Sequence, residues 1–557
     1  MGRGDRWLMG ILAVSLALGL CGINWGLPNG NASWAADAIG PLTVLSIARR
    51  SLTTFNSGWF YFKYPLGYPL ILLLANVPYL ALLLLTGNFR HPQSVYPYGF
   101  AHPESALYVM SLIGRLVSVA AITATVGLTY GIGRRLFGRL AGLLAATFAA
   151  TAYPLVYYAH TTNLDAVFLF WQTLALWATT VAAQTGKRAG FVVLGIAAAM
   201  AVSTKEQAFA LLLPLPILVT ISRRQALGAG QNGLRAWRAA VCSQGSLACV
   251  VAAVGTLLLV NNVLWNPSGF VNRILYLSGR SIPGVSARLA PVEFALFKGS
   301  AKEYKYLQQL SDAVQSGLGW PLLIAAMIGA GYLAIRHTRW ALLLLTPALA
   351  HYYLSLRTLD LITLRYVLPL LVISSVCAGA LCAVVLQSRH RTAAAVVVGA
   401  LCLYGTARAI ELDLLLRHDP RYRAEAWLRE HVAPGSSVEI YQKPAYLPRF
   451  PGLNAKVVPL AERTIDGVTA RDPMLIVTSS AAKKGITHRW NPDWRKGNTL
   501  LIAEPRAVEF LKALEGGALP YREVARFVQE PRTLRLRITS LCPEIVIYER
   551  AALEPRK

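Results

Sequence analysis

The sequence predicts an α-helical polytopic membrane protein ending in a small C-terminal α/β domain. Three observations lead there. The 557 residues are 55% hydrophobic and only 15% charged, with a mean hydropathy of +0.45, which is too apolar for a soluble chain of this length. Runs of about 18 or more apolar residues recur along it, the length a spanning helix needs. Lys and Arg sit in short clusters between those runs, as the positive-inside rule requires.

The formal charge of +27 is therefore read as loop asymmetry. No basic–aromatic stripe accompanies it, so nucleic acid is not expected as a partner. Membrane lipids are. The seven cysteines form no disulfide framework, because all but Cys542 lie in apolar runs, where a thiol behaves as a small hydrophobe.

In chain order, the first span covers about 7–25. Its charged start resembles a signal peptide, but no small-residue cleavage site follows, so it reads as an uncleaved helix. A long polar and aromatic loop follows, with Asp37 among small residues, then Trp59, Phe60, Tyr61, Phe62 and Lys63. The apolar run 66–86 is long enough to cross. If it crosses, however, the later basic clusters (Arg134 and Arg135, Lys187 and Arg188, Arg223 and Arg224, Arg336 and Arg339, Arg389 and Arg391) fall opposite Arg3 and Arg6. Keeping them on one side makes 66–86 an interfacial or re-entrant helix, and Pro69 and Pro78 suit an interrupted segment. The remaining spans are expected near 107–133, 140–158, 165–183, 190–203, 207–221, 239–264, 320–335, 340–356, 366–386 and 392–412. That makes about eleven, with the N-terminus cytoplasmic. The outer segments are 27–104, 265–319 and everything after about 413. The tail changes character: a helical RYRAEAWLREHVAPG, strand-like SSVEIY, MLIVTSS and TLLIAE, a helix at 506–514, then REVARFVQ and EIVIYER. Strands alternating with helices predict a small extracytoplasmic α/β domain over 413–557, behind a membrane domain over 1–412.

Charged groups at span ends are costly and need a partner or a role. Besides Asp37, four such places stand out. Asp165 opens a span in YYAHTTNLDAVFLFW, and Lys205 and Glu206 share the turn VSTKEQAF. Arg365 precedes a span in LITLRYVLP, while Arg115 lies inside SLIGRLVS. Each alone could cap a helix or snorkel. All but Arg115 fall on the outer face. Two carboxylates with several cations fit a donor whose leaving group is an anion. Hydrolysis of an ordinary glycosidic bond needs an acid to protonate the leaving oxygen. A lipid phosphate leaves already stabilised, so cations replace that acid and one carboxylate suffices as general base toward a hydroxyl.

These same segments resemble a family. FKYPLGYPLILLL is similar to the "PPLG" juxtamembrane helix of GT-C-fold membrane glycosyltransferases of the protein-O-mannosyltransferase and aminoarabinose-transferase superfamily (glycosyltransferase family 39-like). LIGRLVSVAAITATVGLTYGIGRRLFGRLAG resembles its next span and basic turn, STKEQAFALLLP its "TKE…P" turn, and LRYVLPLL its "RYxLP" span start. The resemblance covers about 5–440, and DPRYRAEAWLREHVAPGSSV resembles the linker into the outer domain of bacterial members. It implies a GT-C fold and inverting transfer from a polyprenyl-phosphate monosaccharide to a protein, lipid or glycan hydroxyl on the non-cytoplasmic face. It places Asp37 at the catalytic Asp and Asp165 at the second-loop Asp. Donor phosphate would fall to Arg365, Lys205, Lys63 and Arg115. Relatives usually carry two adjacent acids in the first loop, whereas Ala38 follows Asp37 here, so no metal or other cofactor is expected. A transporter or flippase is the competing reading, but transporters place charges near the midplane on broken helices, often with inverted repeats. A catalytically inactive GT-C-like scaffold is the other, and the missing second acid is what it rests on.

The parity argument fixes an expected topology. Alkaline phosphatase fused after Ala101 and after Glu549 is expected to be active at both positions in the plasma (inner) membrane. An inactive fusion at either one would put Asp37 and Asp165 on opposite faces.

Overall fold

The computed structural model describes residues 3–27, 34, 44–46, 64–93, 96–227, 233–278, 280, 300–359, 362–490, 501–529, 536, 538 and 541–551. Asp37 and Lys63 lie outside them. The chain divides into two compact units, Met1–Ile23 with Ala38–Ile410, and Asn24–Asp37 with Glu411–Lys557.

The first unit is helical. Its elements are α1 (Arg3–Leu20), α2 (Gly67–Leu85), α3 (Pro103–Phe137), α4 (Arg139–Ala150), α5 (Tyr153–Ala159), α6 (Leu164–Thr185) and α7 (Arg188–Thr204). Then come α8 (Ala208–Leu212), α9 (Leu215–Leu227), α10 (Gly233–Val241), α11 (Gln244–Val260), α12 (Pro267–Leu277), α13 (Ser300–Leu318), α14 (Trp320–Arg336), α15 (Thr338–Leu354), α16 (Leu368–Leu386) and α17 (Arg391–Arg417). Among the described residues six helices are long and apolar enough to cross a membrane, or eight if each sharply bent pair is one span.

Where helices break, proline sets the position. The run expected as one span over 140–158 is α4 and α5 meeting at 59°. Ala152 there is extended, and Pro154 enters the first turn of α5, where its missing N–H costs nothing. The run 207–221 likewise breaks between α8 and α9, at Pro214. In 66–86 the structure departs from the expected interruption: α2 is continuous and carries Pro78 within it. Small residues let the helices approach closely. A Cβ on Gly195 of α7 would strike the Cys249 carbonyl of α11, and one on Gly67, at the start of α2, would strike the Ser203 carbonyl near the end of α7. The second approach brings the chain just ahead of α2 to the end of α7.

The second unit is an α/β layer structure. It contains α18 (Pro420–His431), β1 (Ser437–Ile440), β2 (Asn454–Val457), α19 (Ile465–Arg471), β3 (Leu475–Ser479), α20 (Lys484–Thr487), β4 (His488–Trp490), β5 (Leu501–Ala503), α21 (Pro505–Glu515), β6 (Tyr521–Phe527) and β7 (Ile545–Arg550). The main sheet has the order β2-β1-β3-β7-β6. β1 is parallel to β2 and β3, and β7 is antiparallel to β3 and β6. Alternation along the strands splits the core in two. Val438, Ile440, Leu475, Val477, Ile545 and Ile547 pack with Ala424 and Leu428 of α18. Ile476, Val546 and Tyr548 pack with Phe510, Leu511 and Leu514 of α21. The α18–β1–β3–β5–α21–β6–β7 series matches the sequence expectation; β2, α19, α20 and β4 are short elements it did not anticipate.

At the head of this unit Asp419 caps α18, accepting from the Arg421 backbone N–H at 3.1 Å. It also pairs with the Arg421 guanidinium at 2.7 Å, both side chains being fully buried, and accepts from Trp25 Nε1 at 3.1 Å. Arg421 stacks over Trp34 at 4.4 Å, and the Gly26 N–H donates to the Tyr422 hydroxyl at 3.0 Å. Trp25 and Trp34, which follow α1, thus belong to this unit's core. Breaking a buried pair by removing one partner typically costs about 3–5 kcal/mol. Asp419→Ala is therefore expected to lower the thermal midpoint of the second unit, read by limited proteolysis on heating, far more than Asp472→Ala at the exposed Asp472–Arg550 pair. Equal midpoints would contradict the burial.

Candidate active site

Separate stretches of the first unit converge on one polar cavity of about 90 Å³. Asp165 is the second residue of α6, and the Asn163 side chain ahead of it caps the helix, accepting from the Asp165 N–H at 3.2 Å. That position sets the carboxylate at the positive end of the helix dipole. Lys205 follows the last residue of α7 and leaves it extended, with φ −159° and ψ 121°. The ladder ends there, and the side chain turns to Asp165: Nζ lies 2.7 Å from Oδ1, and both side chains are buried. The ammonium also lies 4.7 Å from the Tyr366 ring centre and 5.2 Å from that of Phe168, within cation–π range.

Arg365 belongs to a short 3₁₀ turn, Leu364–Tyr366, just before α16. Its guanidinium donates to the Tyr366 hydroxyl at 2.8 Å and lies 4.7 Å from the centre of that ring. The turn is held from behind by His351, whose Nε2 donates to the Tyr366 carbonyl at 2.9 Å. Tyr64 lines the cavity from ahead of α2. Burial pushes its hydroxyl above the usual tyrosine range, and Arg365 opposes that shift, so Tyr64 is a neutral donor near pH 7. Glu206 lines the cavity too and forms an ion pair with Arg273 of α12. Gln207 contributes a buried Oε1 that makes no hydrogen bond among the described residues.

The predicted residues divide three ways. Asp165, Lys205 and Arg365 come together here, although 40 residues separate the first two. Arg115 does not join them. It is fully buried in α3 and donates to the Ile23 carbonyl at 2.7 Å, satisfying backbone beyond the end of α1. It does not line the cavity that Lys205 and Arg365 share. Asp37 and Lys63 fall outside the described residues. Tyr64, Gln207, Arg273 and Tyr366 were missed. Tyr366 and Gln207 stood inside the "RYxLP" and "TKE" segments already singled out, whereas nothing local marks Arg273.

The arrangement offers cations and neutral donors around a small polar space, with its two carboxylates, Asp165 and Glu206, already committed to Lys205 and Arg273. Such a space suits the oxygens of an anionic group, since Arg can engage them in bidentate fashion.

Comparison with known proteins agrees with the family read from the motifs. Residues 109–229 match the family model described as dolichyl-phosphate-mannose-protein mannosyltransferase, a stretch that takes in Asp165 and Lys205. No curated protein matches by sequence. Among solved structures, apo ArnT from Cupriavidus metallidurans aligns at 14% identity over 100% of both chains, with a TM-score of 0.47. ArnT from the same organism bound to undecaprenyl phosphate aligns at 15% identity over 99% of each, with a TM-score of 0.44. The apo oligosaccharyltransferase of Archaeoglobus fulgidus aligns at 13% identity over 94% of this chain and 80% of that one, with a TM-score of 0.48. By its sequence motifs, and by this family model over 109–229, the chain resembles the protein-O-mannosyltransferase-like glycosyltransferases.

Proposed function

We propose that the chain is an inverting glycosyltransferase of the GT-C type. It moves a monosaccharide from a polyprenyl-phosphate donor to a hydroxyl of a protein, lipid or glycan acceptor at the outer face of the membrane, with the second unit extracytoplasmic. One observation carries this reading: Arg365, Lys205 and Tyr64 line the same cavity, where a leaving phosphate could be met by donors and positive charge. The family model over 109–229 supports the reaction class.

In the proposed step the acceptor oxygen bonds to the anomeric carbon on the face opposite the phosphate. The anomeric C–O bond breaks, its electron pair staying on the departing polyprenyl phosphate. The acceptor proton passes to a carboxylate. Asp165 is poorly placed for that last task, because its charge is spent on Lys205 at 2.7 Å. It holds the ammonium in position instead. Arg365 and Lys205 stabilise negative charge as it grows on the leaving oxygen, a contribution that is large in a partly dry site. The general base is assigned to Asp37, which the sequence places after the first span among Ala35, Ala36 and Ala38. A positioned carboxylate contributes roughly 10²–10⁴-fold by taking a proton from a weak hydroxyl nucleophile. No metal is assigned, since Ala38 stands where relatives carry a second acid.

Two experiments test this reading, both on detergent-purified protein given labelled polyprenyl-phosphate sugars. Asp37→Asn keeps any capping role, because Asn caps a helix about as well as Asp, but it cannot accept the proton. Transfer is expected to fall at least about a hundredfold at unchanged thermal stability, and wild-type transfer in a well-folded Asp37→Asn protein would remove the base. Arg365→Lys keeps the charge but loses the planar fork, so most of the transfer rate is expected to go with it. Full activity in Arg365→Ala with unchanged donor binding would remove this residue from the site.

A further inference from the structure

The second unit carries a cleft that the transfer reaction does not use. It has a volume of about 290 Å³ and opens at the end of β3, between α21 and strands β6 and β7. Its floor mixes two kinds of surface. Ile486 and Val546 are apolar, while Thr478 and Tyr548 present hydroxyls. These two side chains are 8% and 6% exposed, and neither hydroxyl is hydrogen-bonded within the described residues. Both residues line the open cleft, so a group seated there can pair with their hydroxyls. Burial, reinforced by Glu515 and Glu523, pushes the Tyr548 hydroxyl up to about 12, which keeps it a donor at neutral pH.

A bulge builds the rim. In the β6–β7 ladder Glu523 stands opposite Tyr548 and Arg526 opposite Val546, with the register shifting between Glu523 and Ala525. Side chains alternate along a regular strand, so residues three apart would face opposite ways. The extra residue puts Glu523 and Arg526 on one face, together with Tyr548, as bulges commonly re-aim side chains beside sites. Arg526 pairs with Glu523 at 2.5 Å and also with Glu544. Across the cleft Lys483 pairs with Glu515 at 2.7 Å. The rim therefore offers three carboxylates as acceptors and two cations as donors, on ion pairs open to solvent that contribute little stability by themselves.

We infer that this cleft binds a neutral saccharide. Each sugar hydroxyl both donates and accepts, matching the mixed rim, and the Thr478 and Tyr548 hydroxyls complete the hydrogen bonding from below. Val546, partly open to the cleft, fits the C–H face of a ring. An anionic ligand would meet the carboxylate excess. The volume lies near the lower end of the roughly 300–1,000 Å³ of small-molecule sites, which suits a short glycan. The assignment stands apart from the transfer reading, because no residue of the proposed active site takes part in it.

The test uses the full chain in a detergent without a sugar headgroup. The probes are methyl α-mannopyranoside, maltotriose and N,N′-diacetylchitobiose, with digalacturonic acid as the anionic comparison, read by saturation-transfer difference NMR and titration. At least one neutral probe is expected to bind saturably and more tightly than digalacturonic acid. Combined Thr478→Val and Tyr548→Phe substitutions keep the shape of the floor while removing both hydroxyls. They are expected to weaken that binding by about tenfold or more at an unchanged thermal midpoint. No saturable binding of any neutral probe, preference for digalacturonic acid, or unaltered affinity in the double variant would each overturn the assignment.

Discussion

The candidate site depends on the buried ion pair between Asp165 and Lys205. Two charges in a helical interior are costly to desolvate, and their attraction repays this only when geometry and additional polar contacts are good. Here both conditions hold. The carboxylate sits in the first turn of a capped helix, and the ammonium is enclosed by the Phe168 and Tyr366 rings. The pair ties the start of α6 to the end of α7, and Lys205 in turn faces the 3₁₀ turn that carries Arg365. Removing either partner would strand a charge, so the fold specifies all three segments together. The cost of burying the pair is what makes the site a single constellation.

A similar constraint organises the second unit. Asp419 satisfies the start of α18, neutralises Arg421 and accepts from Trp25, all from one buried carboxylate. Arg421 then supplies the surface on which Trp34 stacks. The stretch after the first helix, read from sequence as part of a loop of the membrane domain, therefore contributes core residues to the α/β unit. A segment with two tryptophans and few charges has to be buried somewhere. Local pattern alone does not say against what.

Much of the helical architecture was legible because its physics is local. An apolar run has a length, proline has no N–H, and a helix start needs a cap; each is written in adjacent residues. The breaks at Pro154 and Pro214 were as visible in that sense as the spans, yet a hydropathy reading passes over them, since broken helices remain apolar. The place of Arg115 was not legible for a related reason. A buried arginine in an apolar helix calls for a partner, and only the fold shows that one of its N–H groups meets the Ile23 carbonyl beyond α1.

By itself the sequence determined the class of the protein, helical and membrane-embedded with a C-terminal α/β unit. It also determined which polar residues must find partners, because the energetic penalties of burial act residue by residue. The tertiary structure decided which partners they find. Lys205 meets Asp165 across 40 residues, and Arg365 reaches the same cavity from a turn before α16. Tyr64 enters because Gly67 admits a close helix approach. The bulge in β6 is likewise a matter of register against β7, which no property of Glu523 or Arg526 encodes alone. Such pairings depend on how distant segments pack, and packing is settled by the shape and burial of the whole chain rather than by any window of it.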